Sequence, residues 1–240
     1  MTLAAPMVSI VIPFYNCPYV AQAIESALCQ TCSDCEIIVV DDGSTRHMEL
    51  LTPFLQQCTV VRKRNGGTAS ALNAGIQRAT GQYFAWLSSD DVFAPTKIER
   101  QLAFMLGNHA YVSHTAYQTI DEDSRLVGDP IRLRFPGKRS FYQTLLQGCP
   151  INGSSIMLRM EVFSSLGYFD EALLYTHDYD MWLRMIPHYE FYYLEDPLLM
   201  YRSHAKMGTK VHEQNIALEI ASVQVRRRQS IQRLIQEEIF

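Results

Sequence analysis

The chain has 240 residues, 48% of them hydrophobic and 19% charged, which excludes disordered, collagen-like and low-complexity classes and suits a core that folds without disulfides or structural metal. Its 21 basic and 25 acidic residues leave a net charge of -4, so no general basic surface is available to nucleic-acid phosphates, and nucleic acid is not an expected partner. The longest apolar runs fall far short of the about 20 residues needed to cross a bilayer, and with no basic-then-apolar leader the expected location is the cytoplasm.

Val8-Ser-Ile-Val-Ile-Pro13 is a β-branched run closed by proline, and Val20, Ile24, Ala27 and Leu28 follow at helical spacing: strand, loop, helix. Cys29, Cys32 and Cys35 come next without a second pair or spaced histidines to complete a zinc site, so the six cysteines read as reduced thiols. Ile37 to Val40 repeats the order, stopping at Asp41-Asp42-Gly43-Ser44-Thr45 before a helix face of Met48, Leu51 and Leu55. Thr59 to Lys63 predicts a third strand, Asn65-Gly66-Gly67 its turn and Ala69 to Ala79 a helix. A fourth strand, Tyr83 to Leu87, runs into Ser88-Ser89-Asp90-Asp91, and Ile98, Leu102, Met105 and Leu106 mark the helix after Pro95.

Four such units predict a mainly parallel sheet with helices on both faces, a doubly wound α/β half. After about Gly107 the pieces shorten around Gly128-Asp129-Pro130 and Pro136-Gly137, then give Ser155 to Leu158 and a helical stretch from Tyr179 to Ile186, a mixed second half on the same sheet. The last helix, from about Glu213, carries Ile216, Ile220, Val223, Ile231, Leu234 and Ile235 on a stripe broken by Arg226-Arg227-Arg228. That stripe is compatible with packing on the body, homodimer formation or peripheral contact with an anionic membrane. The expected organisation is one domain over residues 1–210, with a nucleotide half to about 107 and an acceptor half beyond it, and a helical extension over 211–240.

The strand ends deliver Tyr15 and Asn16, Asp41 and Asp42, and Asp90 and Asp91 to one sheet edge, where ligands of such folds sit. The pair Asp41-Asp42 reads as nucleotide recognition, because a carboxylate accepts the N3–H of uracil and cytosine has an acceptor there; helix capping is the competing reading. Asp90-Asp91 offers hard oxygens for Mg²⁺ or Mn²⁺ against a diphosphate, or simply starts a helix. In His177-Asp178-Tyr179-Asp180-Met181-Trp182-Leu183-Arg184, Asp178 is either a general base facing a cleft or an N-cap. His204 reads as a metal or phosphate ligand, or as a hydrogen-bonded buried histidine. Tyr15 stacks on a base or packs on the first helix, and Gly66-Gly67 admits a close ligand or forms an ordinary turn.

Taken together, six segments resemble the family 2 glycosyltransferases of the nucleotide-diphospho-sugar transferase (GT-A) fold. They are Val8-Ser-Ile-Val-Ile-Pro-Phe-Tyr-Asn16, Val39-Val-Asp-Asp-Gly-Ser-Thr45, Asn65 to Gly75, Gly81 to Asp91, Leu166-Gly-Tyr-Phe-Asp170 and His177 to Arg184. The resemblance runs to about Ala205. It implies a Rossmann-like, doubly wound mixed sheet and an inverting, metal-dependent transfer from a nucleotide-diphospho-sugar, a UDP-sugar, to a saccharide or glycolipid hydroxyl in polysaccharide or glycolipid assembly. Residue by residue it implies that Pro13, Tyr15 and Asp42 hold the uridine beside Asn16 and Asp41, and that the stretch with Gly67 and Asn73 binds the donor. Asp90 would match the D-x-D aspartate that takes Mn²⁺ or Mg²⁺; His204, from the reading of its own segment, is the further candidate metal ligand. Asp178 would match the catalytic base of the E-D motif, and Asn152, Gly153 and His177 the acceptor region. Ser88 and Ser89 stand where the earlier D-x-D aspartate would be, and His177 stands in place of the E-D glutamate. A non-catalytic nucleotide-sugar-binding protein and a sugar nucleotidyltransferase are the rivals. Phe14-Tyr15-Asn16-Cys17-Pro18 is not the glycine-rich, basic loop the latter needs.

Overall fold

The computed structural model describes residues 7–237; residues 1–6 of the expected domain and 238–240 of the expected extension lie outside the described residues. The first strand, β1 (Val8–Phe14), is buried along its whole length, as a parallel strand covered on both faces must be. It pairs in parallel with β2 (Cys35–Asp41) on one side and β4 (Tyr83–Trp86) on the other, and β2 pairs in parallel with β3 (Thr59–Arg62). Pro13 is tolerated in this central strand because the β4 ladder ends at Val11↔Trp86, so the missing N–H faces no partner strand.

Between these strands run α1 (Val20–Leu28) and α2 (Thr68–Arg78), with α3 (Lys97–Gly107) after the two-residue strand β5 (Val92–Phe93). Gly75 lets α2 lie directly on β1: a Cβ there would stand 2.3 Å from Val11 Cγ1. The segment expected to be a helix around Met48 is a 3₁₀ turn over Met48–Phe54. Pro53 lies inside it, and its ring and missing N–H prevent a regular α-helix.

The second half inserts on the other side of β4. The strand β6 (Val112–Ile120) carries the hairpin partner β7 (Leu126–Ile131) and is followed by α4 (Lys138–Leu145), β8 (Met157–Arg159) and α5 (Glu161–Leu166). Then come α6 (His177–Met185), β9 (Phe191–Arg202), the single-turn α7 (Gly208–Val211) and α8 (Glu213–Glu237). The sheet order is β3-β2-β1-β4-β8-β6-β9-β5, with β7 added to β6. β8 is antiparallel to β4 and β6, whereas β6 and β9 are parallel. The sheet is therefore mixed, with helices on both faces, as expected.

Two cores lie against it. Ile10, Ile12, Val39, Ile24, Leu51, Ile98 and Met105 fill one face; Val11, Val40, Leu72, Trp86, Tyr179, Trp182, Val223 and Ile231 fill the other. The buried Val223 and Ile231 belong to α8, which packs on α4 and α6. The terminal helix is thus laid on the body of the domain. No described helix is long and apolar enough to cross a membrane.

Candidate functional site

The strand ends of β1 and β2 build one polar shelf. Asn16, in the left-handed region at φ 50°, accepts at Oδ1 from the N–H groups of Thr45 and Arg46, both at 2.8 Å, and so ties the β1 loop to the loop after β2. Asp41 is buried; its Oδ1 accepts from Ser44 N at 2.9 Å and its Oδ2 lies 3.6 Å from Arg62 Nε. Asp42, also buried, accepts from Lys63 Nζ at 2.7 Å, from Gly66 N at 3.0 Å and from Gly67 N at 2.8 Å. Gly66 N also reaches Oδ2 at 3.1 Å, so four hydrogen bonds from three donors engage both oxygens of this carboxylate. The pair thus organises the Asn65-Gly66-Gly67 loop, with Gly67 at φ 86°, and Tyr15 stands 54% exposed beside it.

The end of β4 builds the second part. Asp90 keeps an accessible carboxylate, and its Oδ2 lies 3.1 Å from His204 Nε2. Asp91 turns inward instead. Its Oδ1 accepts from Arg202 N at 3.0 Å and its Oδ2 from Ser154 Oγ at 2.6 Å, and burial, then the charge of Asp90, pushes its carboxyl well above the usual range. Arg202, fully buried, donates to the backbone oxygen of Asp90 at 2.8 Å, to that of Asp121 at 3.0 Å and to Gln22 Oε1 at 2.6 Å, with Tyr19 stacked on its guanidinium. Arg202 was missed by sequence reasoning. Its position next to Ser203-His204 was visible, but no local pattern shows that one guanidinium spans the ends of three separate segments.

Asn152 and Gly153 form the floor. Asn152 Oδ1 accepts from Ser154 N at 2.8 Å, and Ser154 in turn accepts from Ser88 N at 3.0 Å, so the turn is locked beneath Asp90 and Asp91. Gly153 is pressed on Trp86, where a Cβ would stand 2.4 Å from Cζ3.

A cavity of about 480 Å³ opens above this floor, with Trp86, Asp90, Asn152, Gly153, His177 and Asp178 in its wall. Asp178 is in the first turn of α6, and its Oδ1 accepts from Tyr179 N at 2.7 Å. Burial raises its carboxyl above the ordinary value. His177 is buried against Trp86 and Phe169, and burial lowers its imidazole so that it is neutral near pH 7. Asp180, the other acid of the cluster, faces away and is paired with Arg184 at 2.8 Å and Arg227 at 3.1 Å.

The structure therefore brings Asp90, Asn152, Gly153, His177 and Asp178 into one cavity, with His204 behind Asp90. Pro13, Tyr15, Asn16, Asp41, Asp42 and Gly67 occupy the adjoining shelf, joined to the cavity through Thr68 in its wall. Asn73 requires a correction. It is buried, and its amide is engaged by Phe169 (2.9 and 3.0 Å) and by Glu171 Oε1 (2.9 Å), so it braces α2 against the turn after α5 and presents nothing to a donor.

For a divalent cation, the described residues hold no group of three or more His, Cys, Asp or Glu. Asp90 in the cavity wall and His204 behind it supply two donors, which fits an ion that takes its remaining ligands from a diphosphate and water, as Mg²⁺-type sites do.

Residues 9–167 match the family described as glycosyl transferase family 2. Over 211 residues the chain is 37% identical to the glycosyltransferase RP339 of Rickettsia prowazekii (strain Madrid E), covering 85% of this chain and 66% of that one. It is 31% identical over 186 residues to the chondroitin synthase of Pasteurella multocida (strain Pm70), covering 75% of this chain and 19% of that protein. Among solved structures, S. aureus TarS 1-349 in complex with UDP superposes with a TM-score of 0.67 at 19% identity, over 90% of this chain and 65% of that one, a likeness of fold. The chain thus spans about two thirds of the length of the first of these relatives.

Proposed function

The chain belongs to glycosyl transferase family 2, and from that premise we propose that it transfers a sugar, with inversion, from a UDP-sugar to a hydroxyl of a saccharide or glycolipid acceptor. The observation that carries the reading is the single cavity in which the accessible Asp90 and the buried Asp178 share a wall. The uracil ring lies on Tyr15, with its N3–H taking the place of the contact that Gly66 N shares between the two Asp42 oxygens, while Gly66 and Gly67 allow the ribose and phosphates to approach the backbone. Asp90 and His204 hold Mn²⁺ or Mg²⁺, which when bound supplies positive charge against the leaving diphosphate.

The acceptor enters from the Asn152–Gly153 floor beside the neutral His177. Its hydroxyl gives its proton to the Asp178 carboxylate and attacks the anomeric carbon from the face opposite the diphosphate; the C–O bond to the diphosphate breaks and UDP leaves. Desolvation makes Asp178 a stronger base than an exposed aspartate, which suits proton abstraction near neutral pH. That the TarS structure binds UDP supports the donor class without naming the sugar.

The test is UDP release from a panel of UDP-sugars with Mn²⁺, with and without oligosaccharide acceptors, alongside calorimetric titration with UDP, GDP, CDP and ADP. We expect Mn²⁺-enhanced binding of UDP in preference to the others, and loss of release in Asp178→Asn with the UDP affinity kept within about twofold. Wild-type turnover in Asp178→Asn overturns the base, and preference for another diphosphate overturns the donor.

A further inference from the structure

Asp178 is held in place by very little of its own. Among the described residues its carboxylate bonds only the next backbone N–H, and Thr176, the N-cap residue of α6, makes no side-chain capping bond. The N-terminal groups of a helix need partners, and here the partner comes from a distant element. Glu219 on α8 accepts from Leu174 N at Oε1, and from Tyr175 N, Thr176 N and Thr176 Oγ1 at Oε2, all at 3.0 Å. Four donors fill the lone-pair capacity of one carboxylate. Charge-assisted bonds of this kind are stronger than neutral ones, and the acid also lies where the α6 dipole favours it.

A second tie lies on the other side of the base. Arg227, two turns further along α8, binds Asp180 Oδ1 at 3.1 and 3.2 Å. The segment Thr176–Asp180 is thus fastened to α8 at both ends, with Asp178 in the middle. Ile216 and Ile220, which flank Glu219 on α8, line the same cavity as Asp178.

We propose that Glu219 is the positioning residue for Asp178: it fixes the Leu174–Thr176 segment so that the carboxylate faces the acceptor, and it links that carboxylate to the α8 wall on which the acceptor rests. The proposal builds on the reading of Asp178 as the base. An acceptor pressing on Ile216 and Ile220 moves the turn that carries Glu219, and the base moves with it. The donor shelf, built from β1, β2 and the Gly66-Gly67 loop, makes no hydrogen bond to Glu219 and borders this linkage where Leu174 comes near Gly67.

The experiment compares the full chain with Glu219→Ala, Glu219→Gln and Asp178→Asn, using UDP for affinity and the best-turned-over UDP-sugar of the panel for kcat, with amide exchange read at residues 174–176. Glu219→Ala should lose at least tenfold in kcat with the UDP Kd within about twofold, and amides 174–176 should exchange faster. Glu219→Gln keeps one acceptor oxygen and should fall between Ala and wild type. Wild-type kcat in Glu219→Ala despite faster exchange overturns the proposal, as does a UDP Kd that worsens in step with kcat. Should Glu219→Ala fail to fold, Glu219→Gln decides: lower kcat at unchanged Kd supports the role, and unchanged kcat overturns it. Full turnover in Asp178→Asn removes the base and this proposal with it, whereas a dead Asp178→Asn beside a fully active Glu219→Ala removes this proposal alone.

Discussion

Lys97 offers a quantitative test of how the floor of the site is supported. Its side chain is fully buried, and Nζ donates to Gln101 Oε1 at 2.7 Å over the ring of Phe93 at 4.3 Å. Gln101 passes the link on to Ser113 and to the backbone oxygen of Ser155, next to the Ser154 that binds Asp91. Burial lowers the Lys97 amine from 10.5 to about 7. At 1.36 kcal/mol for each pKa unit, that is roughly 5 kcal/mol against the charged form. The unfolded chain keeps this proton up to 10.5 and the folded chain releases it near 7. Between those values the unfolded state binds more protons, so stability rises with pH. Lys97→Met removes the charge but leaves Gln101 Oε1 without its donor, a loss of about 1–3 kcal/mol. The variant should therefore be more stable than wild type at pH 7 by about 1–3 kcal/mol, and that gap should shrink by roughly 2 kcal/mol between pH 7 and 9. Urea unfolding of both proteins at pH 7, 8 and 9 measures it, and groups that titrate alike in the two cancel. A gap that stays constant with pH refutes the reasoning.

Two further outcomes follow from the same geometry. Gly153→Ala drives a methyl into the Trp86 ring, at 2.4 to 2.8 Å from three of its atoms; thermal melting should show a loss of about 1–3 kcal/mol. Because Ser154 is the next residue, Mn²⁺ stimulation of UDP binding should weaken as well, and an unchanged melting temperature counts against the packing argument. Turnover should fall on the acid side as Asp178 takes up a proton, and because burial raises that carboxyl, the limb should lie above the ordinary aspartate range. A kcat profile flat through that range removes Asp178 as the titrating base.

How much of this was legible in the sequence depends on whether a residue's partner is close along the chain. The first four strands announce themselves because each is a short apolar run ending in polar residues, and parallel strands buried on both faces have little alternation to hide them. The strand ends therefore place Asp41, Asp42, Asp90 and Asp91 at one sheet edge from the sequence alone. The long strands of the second half were not. β6 buries Ser113, His114 and Thr115 in succession, so hydrophobicity does not mark it. β9 contains Glu195-Asp196-Pro197, which β6 accommodates by register shifts between Thr115 and Tyr117, a bulge that absorbs the proline.

The same rule separates the candidate site residues that a motif points to from those it does not. Asp90 and Asp178 carry their chemistry in their immediate neighbours, so a motif reveals them. Arg202 and Glu219 act through backbone groups far away in sequence, as does Asn73, which the sequence pointed to for another role, and an arginine in a strand or a glutamate on a terminal helix looks like a solvated side chain until those groups are placed beside it. Glu219 marks the consequence most clearly. Read by periodicity, residues 211–240 are an extension with an apolar stripe broken at Arg226-Arg227-Arg228, yet Arg227 of that break binds Asp180 on α6, Glu219 holds the segment before α6, and Ile216 and Ile220 of the stripe line the cavity. The polar and apolar residues thus serve one arrangement, in which the last helix lines the cavity through Ile216 and Ile220 and holds the N-terminal segment of α6 through Glu219 and Arg227.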